Sequence, residues 1–397
     1  MRLGIDAANL RAGGGVTHLA EILRAAQPQA HGFAQVIVWA GRETLAQLDE
    51  QSWLLKAPQA LLNKALPYRV FWQRFRLAAL ARAAGCDVLF APGGSIGGDF
   101  RPVVTMSRNL LPFEWPELRR YGVSWLTLKW LLLRAVQARA FQRADGVIFL
   151  TRHARNVVMQ ALPVAIERTA IIPHGIAGRF LRRPRAQAPM EQYSGTRPFR
   201  ILYVSIVDLY KHQWHVVEAV DMLRAAGMPV VLELIGGAYS RALKRLNKVR
   251  ARVDPHGQLV QYAGRVPYRE LHARYGAADL CVFASSCENM PNILLEAMAS
   301  GLPIACSNRG PMPEVLGDAG VYFDPEDARD IARAIRELLD SAELRARLAQ
   351  AAFQRVQIYS WSRCADETLS FLAATAAVRG RDVAARRSAA FSPETGR

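Results

Sequence analysis

Two glutamates eight positions apart, Glu288 and Glu296, lie in the segment Ser285-Ser286-Cys287-Glu288-Asn289-Met290-Pro291-Asn292-Ile293-Leu294-Leu295-Glu296-Ala297-Met298-Ala299-Ser300-Gly301-Leu302-Pro303. From Asn292 to Ala299 every residue but Asn292 and Glu296 is apolar, so a helix here must be largely buried. A carboxylate in such surroundings is costly unless a hydrogen bond or a ligand partners it. Pro291 suits the first helical position, and the free N–H groups and positive dipole end beside Glu288 would suit an anion. One acid before the helix and one inside it would hold a sugar and a ribose on either side of a phosphate. A plainer reading fits the same residues: Ser285 to Glu288 matches a capping box, and Glu296 would then turn to a surface stripe.

The elements needed to position these acids are present. Ala278–Ala284 reads as a short buried strand and Gly301–Cys306 as a turn into the next. A strand ending at an acidic loop that opens a helix is where open parallel sheets bind ligands. Strand-like and helix-like segments alternate along the whole chain, which predicts α/β layers with mostly parallel sheets. Strands are expected at Leu3–Asp6, Val36–Ala40, Val88–Ala91, Val103–Met106, Gly146–Leu150 and Thr169–Ile172 in the first half. In the second half they are expected at Arg200–Val204, Val230–Ile235, Leu259–Tyr262, Leu280–Ala284, Ile304–Ser307 and Val321–Phe323. A Pro- and Arg-rich stretch, residues 181–198, reads as a linker between domains spanning 1–180 and 199–360. A helix over 361–377 follows, and the polar, arginine-rich residues 378–397 are expected to be disordered.

At 397 residues the chain has room for two or three domains of roughly 150 residues each. Its 51% hydrophobic and 21% charged content is that of a globular protein. The formal net charge of +17 implies an acidic partner: nucleic acid, anionic lipid or a phosphate-bearing substrate. Against nucleic acid, no binding module is recognisable and the basic residues are spread over both halves. The five cysteines, Cys86, Cys281, Cys287, Cys306 and Cys364, are scattered and fit reduced core thiols. Among the eight histidines no metal-ligand spacing is found, and no metal site is expected. The N-terminus reads as an opening strand without a secretory segment. No run approaches the ~20 apolar residues of a membrane span. A cytoplasmic protein is therefore expected.

The Glu-x7-Glu spacing and its Glu296-Ala297-Met298-Ala299-x-Gly301-x-Pro303 continuation resemble the donor-site signature of the retaining glycosyltransferases of family 4. The likeness is good from about Arg200 to Tyr359 and loose in the first half. It implies a GT-B fold, two Rossmann-like parallel-sheet domains facing each other across a cleft, with the first binding the acceptor and the second a nucleotide sugar. It also implies that the helix over 361–377 packs back on the first domain. The implied reaction moves a hexose, with retention, from a nucleotide-diphosphate sugar to a saccharide or lipid-linked saccharide, as in bacterial surface polysaccharide synthesis. No metal or cofactor is implied beyond the donor itself.

By the same resemblance Glu288 sits near the anomeric carbon, Glu296 holds the ribose hydroxyls, and Asn292, Ile293 and Leu294 form the helix tip at the donor. Lys211 matches the lysine that holds the diphosphate. The family's usual Gly-Arg is replaced by Ser205-Ile206, so the second phosphate cation is missing from its place, and Arg265 is the candidate to compensate. That departure also keeps open a catalytically inactive partner subunit. Gly14 and Gly15 match a Gly-Gly loop closing over the diphosphate, although on their own they fit a tight turn equally well. Arg108-Asn109 stands where the family often has His-Asp, so no catalytic histidine is carried over, and His174 is assigned a structural role. Basic residues interleave with bulky apolar ones over 64–82 and 119–143, which suits either solvated amphipathic helices or contact with an anionic inner-membrane surface.

Overall fold

The computed structural model describes residues 1–11 and 13–390, with side chains described as far as residue 378. The chain divides into two compact units. The first holds Met1–Arg108, Leu131–Gly175 and the C-terminal helix from Trp361; the second holds Asn109–Trp130 and Ile176–Ser360.

The first unit is built on seven strands: β1 (Arg2–Asp6), β2 (Gln35–Ala40), β3 (Leu54–Pro58), β4 (Val88–Ala91), β5 (Val103–Met106), β6 (Gly146–Phe149) and β7 (Thr169–Ile171). They form one parallel sheet in the order β3-β2-β1-β4-β5-β6-β7. β4, β5 and β6 are buried along their whole length, as continuous apolar runs covered on both faces must be. β3 was not expected. Its sequence, Leu-Leu-Lys-Ala-Pro, breaks the apolar run with Lys56 and Pro58, which an edge strand tolerates and a central one does not.

The second unit repeats the plan with β8 (Phe199–Val204), β9 (Val230–Ile235), β10 (Val260–Gly264), β11 (Leu280–Phe283), β12 (Ile304–Ser307) and β13 (Val321–Phe323). This parallel sheet runs β10-β9-β8-β11-β12-β13. In each sheet the winding direction reverses once, between β1 and β4 and between β8 and β11. Such reversals open a crevice at the carboxyl ends of the two strands.

The unit boundaries differ from the sequence expectation. Residues 109–130 group with the second unit. So does the stretch read as a linker, because its exposed arginines and their backbone also bond polar groups of the second unit. The Arg182 N–H donates to the Ala299 carbonyl at 2.8 Å, and Arg185 pairs with Asp279 at 2.6 Å. Arg345, fully buried, donates to the Leu338 and Leu339 carbonyls at 2.6 and 2.8 Å and also to Ala188.

The last helix, Trp361–Ala390, packs on the helix Gly14–Ala25 and on β4 within the first unit. Gly146 lets it come close, since a Cβ there would lie 2.8 Å from the Phe371 ring. Disorder was expected from Val378, but the helix continues to Ala390, and residues 391–397 lie outside the described residues. Among the described residues no helix is long and apolar enough to cross a membrane.

Candidate active site

β8 and β11 are neighbours at the reversal of the second sheet, and their carboxyl-end loops deliver Lys211 and Glu288. Lys211 is only 4% exposed and forms an ion pair with the Glu288 carboxylate. Its ammonium also lies 5.0 Å from the Tyr210 ring centre and 5.5 Å from that of Phe283, within cation–π range.

Several bonds hold these loops in place. The Ser286 N–H donates to the Tyr210 carbonyl at 2.8 Å, and the Tyr203 hydroxyl donates to the Lys211 carbonyl at 2.7 Å. Asp208 accepts from the Leu209 N–H at 2.7 Å and from the Tyr121 hydroxyl at 2.8 Å. Burial raises the Asp208 pKa. The residue after Lys211, His212, takes φ 51°, a left-handed conformation that costs a non-glycine residue energy. Its buried ring is held by Ser286 Oγ at 2.9 Å, and burial lowers its pKa to about 3. Lysine is thus presented from a strained but fully tied turn.

The helix Asn292–Ala299 opens directly after this loop, with Pro291 just ahead of it rather than at its first position. The capping-box reading fails: the Ser285 hydroxyl bonds the Cys287 carbonyl at 3.2 Å and caps no helix. The Leu294 and Leu295 N–H groups both turn to the Pro291 carbonyl, at 2.9 and 3.1 Å, and the Asn292 N–H to Met290 at 3.0 Å. Among the described residues the Ile293 N–H has no partner, which leaves one donor at the positive end of the helix. Asn292 is exposed and Ile293 half-buried; Leu294 is fully buried, so only its backbone is near the tip.

Glu296 does not reach a surface stripe. It is 4% exposed and accepts from the Tyr275 hydroxyl at 3.1 Å and from the Tyr268 hydroxyl. Arg179 stacks over the Tyr268 ring at 4.3 Å. Burial outweighs these partners and raises the Glu296 pKa to about 7.

Arg265 is exposed, with no hydrogen-bond or ion-pair partner among the described residues. Its guanidinium lies against the loop after β9, where a Cβ on Gly237 would come 2.9 Å from Nε. That loop in turn presses on the one after β8. Gly236, at φ 146°, leaves no room for a Cβ, which would sit 2.0 Å from the Ser205 carbonyl oxygen. Arg265 therefore stands beside the loop that carries Ile206, itself exposed.

In the first unit, Gly14 and Gly15 form the first turn of the helix Gly14–Ala25, with Gly13 as the cap at φ 69°. The Arg108 side chain lies against both glycines. The fold also gathers a group that no sequence spacing announced: His18, His174 and Cys364, all buried, offer ligand atoms within 4.8 Å of one another. Burial lowers both imidazole pKa values, that of His174 to about 3, and the nearby Arg108 charge lowers them further. The same charge opposes a metal cation there.

The tyrosines around Glu296 escaped the sequence reading because they arrive from separate elements with no spacing to link them. Asp208 did carry a signal, since aspartate before a short helical turn is a typical cap.

The sequence matches two described families: Glycosyl transferases group 1 over residues 189–355 and Glycosyltransferase Family 4 over residues 12–177. The chain belongs to the group 1, family 4 glycosyltransferases. The O-antigen chain mannosyltransferase B of Escherichia coli is 34% identical over 111 residues, which is 28% of this chain and 29% of that protein. A sulfoquinovosyl transferase of Arabidopsis thaliana is 24% identical over 269 residues, 66% of this chain and 49% of that one. The chain thus spans less than two thirds of the length of these curated relatives. Among solved structures, HepE of Anabaena in complex with UDP and glucose superposes with a TM-score of 0.65 at 18% identity. That match covers 93% of this chain and 99% of that one. WaaG, a glycosyltransferase involved in lipopolysaccharide biosynthesis, gives 0.66 at 15%, covering 94% and 99%. The two Rossmann-like parallel sheets are those of the GT-B fold.

Burial of Glu296 has a measurable consequence. Its folded pKa of about 7 lies above the ordinary 4.5, so the folded state holds a proton that the unfolded state releases between these values. Stability must then fall as pH rises through this window and level off above it, by on the order of 3 kcal/mol. Glu296→Gln lacks that loss. Urea unfolding of both proteins should show the variant gaining on the wild type from pH 4.5 to 7; a pH-independent difference would refute the buried carboxyl.

Proposed function

We propose that the chain is a retaining, metal-independent hexosyltransferase, using a nucleotide-diphosphate sugar to extend a saccharide or lipid-linked saccharide. The observation that carries this reading is the Lys211–Glu288 pair, set at the sheet reversal beside a helix tip with an unpartnered N–H. Lys211 and the Ile293 N–H suit a diphosphate, where charge builds as the sugar departs. Glu288 then faces the anomeric carbon and stabilises its developing positive charge. Glu296 accepts from the ribose hydroxyls in exchange for its tyrosines. As the C1–O bond to the diphosphate breaks, the acceptor hydroxyl forms the new C1–O bond from the same face. The departing phosphate oxygen takes its proton, so no protein base is needed. The mannosyltransferases among the relatives make GDP-mannose the first donor to try.

The first unit adds a reason to place the acceptor at a membrane. The helix Leu66–Phe75 exposes Leu66, Tyr68, Val70, Phe71 and Phe75 beside Lys64, Arg74 and Arg76. Apolar side chains rimmed by cations suit an anionic lipid surface, and we read this face as a peripheral membrane contact.

Two outcomes are expected. Across a panel of UDP-, GDP- and ADP-hexoses, one donor should support transfer with the anomeric configuration retained by NMR, and Glu288→Gln should lower kcat about a thousandfold without loss of fold. Turnover at the wild-type rate in that variant, or an inverted product, would rule the mechanism out. For the membrane face, the protein should sediment with phosphatidylglycerol vesicles and not with phosphatidylcholine, and a Phe71→Ser/Phe75→Ser protein should stay in solution. Equal sedimentation of the two proteins would dispose of the lipid contact.

A further inference from the structure

Asp208 and Lys211 stand three positions apart on one helical turn, Leu209–Lys211, which Asp208 caps. In so tight a turn residues three apart lie over one another, and opposite charges at that spacing attract. These two do not pair. Among the described residues the ammonium of Lys211 forms its ion pair with Glu288. Burial raises the Asp208 pKa, and the Lys211 charge is among the influences that lower it, so the two groups do feel each other. Something must hold the aspartate back.

The hydroxyl of Tyr121 is placed to do so. It donates to Asp208 Oδ1 at 2.8 Å, the oxygen that also accepts from the Leu209 N–H at 2.7 Å. Burial, and after it the Asp208 charge, raises the Tyr121 pKa, so the phenol keeps its proton and remains the donor. The carboxylate is thereby turned along the cap, with its charge shared between two donors. Tyr121 is 1% exposed, yet its place does not depend on that oxygen. Arg120 beside it pairs with Glu117 at 2.7 Å and with Glu326 at 2.9 Å. Arg241 donates to the Tyr121 carbonyl at 3.3 Å, the Tyr121 and Tyr239 ring centres are 5.9 Å apart, and Leu118 is fully buried. All of these contacts lie within the second unit, and all survive loss of the hydroxyl.

We propose that Tyr121 is a positioning residue of the donor site: its hydroxyl keeps Asp208 on the cap, so that Lys211 serves Glu288 and the incoming diphosphate. The proposal rests on the donor reading above, in which Lys211 is the cation of the diphosphate. Without the hydroxyl, Asp208 Oδ1 keeps only the Leu209 N–H, and its charge turns to Lys211 as an internal rival of the ligand. Asparagine at 208 would keep a capping oxygen and remove the rival.

The test takes the whole chain as wild type, as Tyr121→Phe and as the double variant Tyr121→Phe/Asp208→Asn. Each is titrated calorimetrically with GDP, UDP, ADP, CDP and dTDP, and each is melted without ligand. The diphosphate that binds the wild type should bind Tyr121→Phe about tenfold more weakly. The double variant should recover most of that loss, and all three proteins should melt cooperatively. Recovery on removing a second group is what a merely structural hydroxyl would not give. Undiminished affinity in Tyr121→Phe overturns the proposal and leaves the donor reading standing. A loss that Asp208→Asn does not restore, or a Tyr121→Phe protein that fails to fold, makes the hydroxyl structural and overturns it too. If the wild type binds no nucleoside diphosphate, the donor reading falls and the proposal with it.

Discussion

A lysine ammonium held almost out of water needs a negative partner, and in the second unit Glu288 is that partner. The rest of the local structure follows from keeping these two charges together. They come from loops after β8 and β11, so those strands must be neighbours, which requires the sheet to reverse its winding between them. The loops must also be tied to each other, which the Ser286–Tyr210 and His212–Ser286 bonds accomplish. The left-handed backbone of His212 is the energetic cost of aiming Lys211 at Glu288 instead of into solvent.

Glu296 obeys the same logic by other means. Eight positions on, it is carried into the core by a helix that is apolar apart from Asn292, where among the described residues no cation forms an ion pair with it. Two tyrosine hydroxyls partner it instead and draw its pKa down, yet burial still holds it at about 7. The two acids of one short segment thus have opposite characters: one paired with a cation, one kept half-protonated by burial.

Much of the fold could be read from the residues. Continuous apolar runs such as Val103–Met106 and Leu280–Phe283 are unmistakable as buried parallel strands, whereas β3 hid behind Lys56 and Pro58 because edge strands need no such run. The acids and Lys211 were readable through their spacing and the family resemblance. Tyr268, Tyr275 and Arg179 were not, since nothing in the chain links residue 179 to residue 296 until the helix and the strands have packed. The apparent linker misled for a related reason. Arginine and proline signal solvent on composition, yet the exposed Arg182 and Arg185 also bond a carbonyl and a carboxylate of the second unit, and the Ala188 carbonyl accepts from Arg345. Arg108 was noted only as a departure from the family pattern. Its lack of a counter-charge among the described residues appears once β5 and the helix at Gly14 are in place.

Hydrogen–deuterium exchange with and without a saturating nucleoside diphosphate addresses the site most directly, because the Ile293 N–H at the helix tip has no internal partner to protect it. Protection should rise together over residues 205–212 and 284–296 on adding the ligand. Binding that leaves both stretches exchanging as before would show that the diphosphate sits elsewhere, and that the buried pair serves only the fold.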